Sequence, residues 1–334
     1  MRYNSVSTPV FYVSILQWLN SLGKLEVKLE HPYDDWGNPR QVATGQDIIG
    51  LVNINPSTQT GLSTTISGSQ VLLVFRSTAG NFNEIMPNDN NFSMMLGHTF
   101  RGVQTNTTWS RVADDYLVGG INYNGFNIRY DANGGDAHDI EYDKIEMTIE
   151  TEQHETGVEY KLGSFLYGTY FQMPHSPDLS LSLSYETGTK NIETKGGASL
   201  SNTMWRPPMW GGLGAWELSE STTSSHQTLA HSTRRIWDLS FSYLSQEDIF
   251  PKFNALNKLT DEEEAETVDA NETLLSSEDF FSVVYNKVGN SLPFVFQPNK
   301  DEKDFAICKF VGNMKFTQTS PTLYSCKVRI RECW

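Results

Sequence analysis

The chain has 334 residues and a formal charge of −15, with 19% of residues charged and 12% aromatic. That length is enough to bury a large core and favours two domains. The acidic balance argues against gripping a phosphate backbone across the surface, so no sequence-specific nucleic-acid partner is expected.

The longest purely apolar run, Val71 to Phe75, is far short of the roughly 20 residues a membrane helix needs, so no membrane partner is expected either. The N-terminus carries one Arg and no apolar core followed by small residues, so no secretory signal is expected. Abundant Gly, Ser, Thr and Asn beside many aromatics point to a β-rich protein with many turns.

In chain order, Phe11, Tyr12, Ile15, Leu16, Leu19 and Leu22 recur at helical spacing, and Gly23 follows as a stop. The pattern predicts a short amphipathic helix packed on a sheet, with Trp18 beside its apolar stripe. From about Pro32 to Glu193 the pattern predicts strands. Val71 to Phe75 reads as a strand buried on both faces, whereas Ile145, Met147 and Ile149 alternate with Glu146, Thr148 and Glu150. Leu179, Leu181, Leu183 and Tyr185 alternate with serines, which pins a strand register. Asn124-Gly125, Asn133-Gly134-Gly135 and Gly196-Gly197 supply turns. This spacing predicts a β-sandwich of jelly-roll type.

Residues 196–231 are rich in Gly, Trp, Pro, Ser and Thr without a sustained period, and read as a long ordered connecting loop. Beyond it Trp237, Leu239, Phe241 and Tyr243 alternate with polar residues. Ser245 and Asp248 have the spacing of a helix cap, with Ile249, Phe250, Phe253 and Leu256 as the apolar face near Pro251. A second helix is predicted over Glu278 to Val288, with Phe280, Phe281 and Val284 inward and Gly289 ending it. A last strand places Tyr324, Cys326, Val328 and Ile330 on one face and Lys327, Arg329 and Arg331 on the other.

This C-terminal order carries a resemblance. Arg234, Arg235, Trp237, Leu239 and Phe241 are followed by Ser245 to Phe253, then Phe281, Gly289, Leu292, Pro293, Phe294, Phe296 and Pro298. Phe305, Ile307 and Phe310 come next, and the pattern ends on Ile330, Arg331, Glu332 and Trp334. Over residues 232–334 it resembles the minor tail and distal tail proteins of tailed bacteriophages, with the N-terminal helix as a weaker echo. Two positions depart from the family pattern: Cys333 stands where Val or Ile belongs, and the acidic insertion at 261–279 is longer than the pattern requires.

The resemblance implies a mainly β fold: a tail-tube-like domain with short helices, built from 1–44 and 232–334, into which a β-sandwich of 45–195 is inserted. It implies a structural virion protein, a distal tail or tail-tip ring subunit assembled in the bacterial cytoplasm. The partners would be further copies of itself and other phage tail proteins, with no cofactor and no catalysis. A neck, tail-tube or capsid-decoration protein fits the same features. A carbohydrate-binding module or cell-wall-acting enzyme, with a host glycan as ligand, is the reading from another class.

Candidate sites are few. Trp205, Trp210 and Trp216 cluster near Pro207-Pro208 and Gly211-Gly212, and suit a subunit interface, a core or a sugar platform. Arg234 and Arg235, the basic pair of the tail-like pattern, are further interface or glycan candidates. The acidic, Gly-rich stretch from Asp131 to Asp143 fails calcium-loop spacing, with Gly135 and Tyr142 at ligand positions, and reads as a polar hairpin loop. His175, Ser176 and Asp178 lie too close in sequence for a nucleophile–base–orienter set, and read as a Pro-braced turn. Cys308, Cys326 and Cys333 lack the close pairs of a zinc site; Cys326 reads as a small core residue. Residues 261–279 hold nine acids and no Lys or Arg, so a solvated acidic loop or a contact with a basic neighbour is expected there.

Overall fold

The computed structural model describes residues 5–30, 49–54, 60–63, 70–86, 90–96, 99–101, 116–122, 125–131, 144–150, 159–162, 164–179, 181–187, 189–203, 209–210, 213–214, 233–251, 277–302 and 305–333. The first part of the chain runs β1 (Val10–Ser14), α1 (Ile15–Ser21), β2 (Leu25–Glu30), β3 (Thr60–Ser63), β4 (Gln70–Ser77), α2 (Phe82–Ile85) and β5 (Asn90–Leu96). It continues with β6 (Thr99–Arg101), β7 (Tyr116–Asn122), β8 (Gly125–Asp131), β9 (Lys144–Glu150), β10 (Glu159–Leu162) and β11 (Ser164–Gln172). Then come β12 (Ser182–Thr187), β13 (Thr189–Glu193), β14 (Ser199–Thr203), β15 (Met209–Trp210), β16 (Leu213–Gly214), β17 (Thr233–Ser245) and α3 (Gln246–Ile249). The last elements are α4 (Asn286–Val288), β18 (Phe294–Gln297), β19 (Ala306–Phe310), β20 (Lys315–Gln318) and β21 (Leu323–Glu332).

The described fold is mainly β, with antiparallel pairing and short helices. An eleven-stranded sheet runs β12-β17-β21-β19-β18-β1-β11-β5-β8-β7, with β20 on β21. Smaller sheets are β2-β4-β9, β3-β10-β6, β13-β14 and β15-β16. The large sheet joins the first strand, the last third and part of 45–195, because β1 lies between β11 and β18.

β1 explains a departure from the helical pattern. Phe11 and Tyr12 lie on this strand, and the helix is confined to Ile15–Ser21, capped by the Ser14 hydroxyl accepting from the Gln17 N–H. All five strand residues are buried, so both faces are apolar and the period of two disappears from the sequence. Phe11 and Val13 enter one core with Trp237, Phe294 and Phe310. Val10 and Tyr12 enter another with Phe92, Tyr170 and Val295. Phe11 sits among aromatic rings at 5.3 Å from Phe280, 5.4 Å from Phe296 and 6.0 Å from Phe310. Leu22, grouped with the stripe in sequence, is exposed, because the helix ends one residue before it. Gly23 takes the left-handed φ of +65° that the stop requires.

β4 lies between β2 and β9, and Leu73, Val74 and Phe75 are buried as the apolar run predicts. Ile145 stands opposite Phe75 and Met147 opposite Leu73, so the alternation of β9 matches its partner. Ile15, Leu16 and Leu19 pack with Leu73, Phe75 and Phe165 in the third core.

Three local expectations are corrected. The Leu179 alternation begins as a strand only at Ser182; Leu179 itself is fully exposed, while Leu181 and Leu183 pack on the core. Residues 199–203, 209–210 and 213–214 of the expected loop are strands, since pairing partners rather than periodicity order them. Tyr243 does not continue the inward row of Trp237, Leu239 and Phe241. It is exposed at φ +62°, where the β17–β21 register shifts between Phe241 and Leu244, and Leu244 takes the buried place.

Ser245 and Asp248 form a reciprocal capping box, but the helix lasts one turn. Phe250 is already extended (φ −121°, ψ 144°) because the residue before proline avoids helical angles, so Pro251 ends this helix. Phe253 and Leu256 lie outside the described residues. The second predicted helix is a π-type turn over Phe281–Tyr285 running into α4, with Phe280, Val283, Val284 and Val288 buried. Phe281 is only half-buried, its ring tilted against Tyr285 at 6.0 Å between centroids. Gly289 ends the segment at φ +49°.

Asp279 caps this segment, accepting from the Ser282 N–H at 2.9 Å. Lys287 is buried with its Nζ donating to the Ser282 carbonyl at 3.0 Å. Burial lowers its pKa to about 8 from 10.5, against the pull of Asp279. The unfolded chain therefore binds more protons between those values, and this group adds stability as pH rises through that window. Lys287→Met removes that gain. The urea midpoint of the parent relative to the variant is expected to rise between about pH 7 and about pH 10; a flat difference would contradict the buried charge.

Candidate functional site

The long antiparallel pair β17–β21 sets Ile236 opposite Arg331 and Trp237 opposite Ile330. Period two then decides where the basic pair goes. Arg235 shares the inward face of Trp237 and is buried, whereas Arg234 is half-exposed. Glu332 shares the inward face of Val328 and Ile330 and is also buried.

The two buried charges meet. Glu332 Oε2 accepts the Arg235 backbone N–H at 3.1 Å, and Oε1 lies 3.5 Å from Arg235 Nη2. The guanidinium lies 4.8 Å from the centroid of the Trp237 ring, a cation–π distance. Burial pushes the Glu332 carboxyl up to about 7, outweighing the attraction of Arg235. Arg235, one half of the basic pair, is thus a buried structural residue.

Arg234 lines an open depression of about 460 Å³ with Asn290, Lys309, Arg331, Cys333 and Glu332, whose carboxylate already faces Arg235. Arg331 is held by Glu186, donating from Nε at 2.7 Å. Lys309 and Arg331 stand directly opposite each other in the β19–β21 register. The depression is therefore basic in an acidic chain. Sequence reading missed Lys309 and Asn290, because their neighbourhood arises only when β19 pairs with β21. The alternation around Trp237 and Ile330 already carried the burial of Arg235 and Glu332.

Burial keeps the three thiols in their protonated form at neutral pH, raising Cys308 well above its ordinary range and Cys326 and Cys333 to about 12. Cys326 lies in the core, as its strand face predicts. Among the described residues no three His, Cys, Asp or Glu side chains gather as a metal set, and no helix is long and apolar enough to cross a membrane.

The His175, Ser176 and Asp178 side chains are not brought together by hydrogen bonds. Ser176 Oγ meets Ser7 Oγ at 3.4 Å, His175 Nδ1 lies 2.8 Å from its neighbour's carbonyl, and Asp178 accepts from Ser242 Oγ at 2.9 Å. The Asp178 N–H also donates to the Ser240 carbonyl at 2.7 Å, so this turn is sewn to β17. An internal cavity beside Met173, Ile249 and Phe280 holds 10 Å³, about one water and too little for an organic ligand.

Trp205 and Trp216 lie outside the described residues. Trp210 lies in β15 opposite Leu213. Residues 132–143 of the acidic Gly-rich stretch and 261–276 of the acidic run also lie outside them.

The β13–β14 hairpin is a second surface feature. Its turn uses Gly197 at φ +80°, and its register sets Ile192 opposite Leu200. These two apolar side chains are 53% and 60% exposed, although directly paired. Compared with known proteins, the chain matches no family model, no curated protein and no solved structure.

Proposed function

We propose that this protein is a structural subunit that works by assembly, as a distal tail or tail-tip ring component of a tailed bacteriophage. In this reading its partners are further copies of itself and other tail proteins, and it performs no chemistry. The tube-like domain would combine β1 with the C-terminal third, and the part of 45–195 outside the large sheet would supply an outward sandwich.

The observation that carries the assembly reading is the β13–β14 hairpin. A two-stranded hairpin is marginal in water on its own, and this one exposes an apolar cross-strand pair, Ile192 and Leu200. A neighbouring subunit would cover it and gain roughly 25 cal/mol for each Å² of apolar surface removed from water. The large sheet also ends on β12 and β7 among the described residues, and such edges favour closure with another chain. The tail-like sequence pattern supplies the phage assignment.

Light scattering of the purified chain tests the reading. The expected result is a closed oligomer, threefold or sixfold in negative-stain images. Ile192→Asp with Leu200→Asp is expected to keep the circular dichroism of the parent while lowering the native mass. A parent chain that stays monomeric at every concentration would overturn the ring assignment.

A further inference from the structure

We propose that the depression lined by Arg234, Lys309 and Arg331 is a receptor for a carboxylate-rich peptide, supplied by residues 261–276 of a second copy of this chain. The proposal rests on the assembly reading and names one contact within it.

The first support is a charge arrangement that the fold tolerates at a cost. Lys309 and Arg331 are direct cross-strand partners, and like charges in that relation repel. Glu186 answers Arg331, with Nη2 at 2.6 Å. Lys309 has no ion-pair partner among the described residues, and Arg234 adds a third positive charge at the rim. Acidic residues outnumber basic ones by 40 to 25 in the chain, so a cluster of cations is a local inversion of its charge. An anionic ligand would relieve the repulsion.

The second support is the match in kind. Residues 261–276 carry seven carboxylates (Asp261, Glu262, Glu263, Glu264, Glu266, Asp269 and Glu272) and no Lys or Arg. Guanidinium and ammonium groups around one hollow suit several carboxylates at once. The exposed Val311 also lines the hollow and suits an apolar position of a peptide better than a bare phosphate chain.

The test uses the full chain and a fluorescent peptide of residues 260–277, read by anisotropy. Binding is expected at low salt and is expected to vanish near about 1 M salt, where the screening length is about 3 Å. Lys309→Glu is expected to weaken it about tenfold and Lys309→Gln by less. A peptide carrying Lys at positions 262–264 is expected to prefer the Lys309→Glu chain.

Equal binding to the parent and to both Lys309 variants, with circular dichroism unchanged, would overturn the site. Tighter capture of a single-stranded oligonucleotide of equal charge would overturn the peptide as its occupant. Binding that appears only after Glu262→Gln, Glu263→Gln and Glu264→Gln, in a chain that remains monomeric, would show the segment acting within its own molecule and overturn the second copy. Native mass separates the two claims. A ring that forms in Lys309→Glu while the parent ignores the peptide sinks this contact alone. A monomer that binds the peptide sinks the ring and the supply by a second copy, and leaves the hollow as a carboxylate site.

Discussion

Gly168→Ala is expected to unfold at a much lower urea concentration than the parent, with a loss of about 3 kcal/mol or more. Gly168 stands opposite Ser14, where β1 turns into α1 against β11. A Cβ there would overlap the Val13 carbonyl oxygen and come within 2.7 Å of the Ile15 N–H nitrogen. Both obstacles are backbone, so no side chain can rotate away. The displaced segment carries Val13 into one core and Ile15 into another, and the damage spreads to both. Gly197→Ala is the contrast: open space surrounds that position, and only the φ of +80° resists, for about 1 kcal/mol. Trp fluorescence in a urea series checks the pair. Equal midpoints for the two variants would show that the close approach of β11 to β1 is wrong.

Arg235→Met is expected to cost about 3–5 kcal/mol, because Glu332 is left as a buried charge without its counterion. The double variant Arg235→Met with Glu332→Leu is expected to recover most of that loss, since neither charge then needs burying. The pH dependence follows from the carboxyl. Its folded pKa, about 7, is raised above the ordinary 4.5. The folded state therefore binds more protons between these values; the contribution is full below about 4.5 and is lost as pH rises through about 7. Without Arg235 the carboxyl would rise further, so Arg235→Met should be most damaging near about pH 8 and milder near about pH 5. An equal loss at both pH values would rule out this linkage.

Legibility followed the range of the interactions. The Ser245–Asp248 capping box and the turn at Gly196-Gly197 depend on a few neighbouring residues, and both were readable. So was the inward row Trp237, Leu239 and Phe241, because one face of β17 is buried and the other carries Asp238, Ser240 and Ser242. Tyr243 broke the row because a bulge is decided by the partner strand β21. Phe11 and Tyr12 passed for part of a helix because a strand covered on both sides loses its alternation, and the cover comes from residues about 160 and 285 positions away.

The same division applies to the candidate site. The sequence by itself determined the β class, the parity that sends Arg235 and Glu332 inward, and the acidic run. The tertiary structure alone decided that Lys309 faces Arg331, that Arg235 meets Glu332 over Trp237, and that Ile192 and Leu200 stay exposed. Parity and charge are written along one strand. Which strands lie side by side is set by burying whole faces at once, and that competition is settled only across the folded chain.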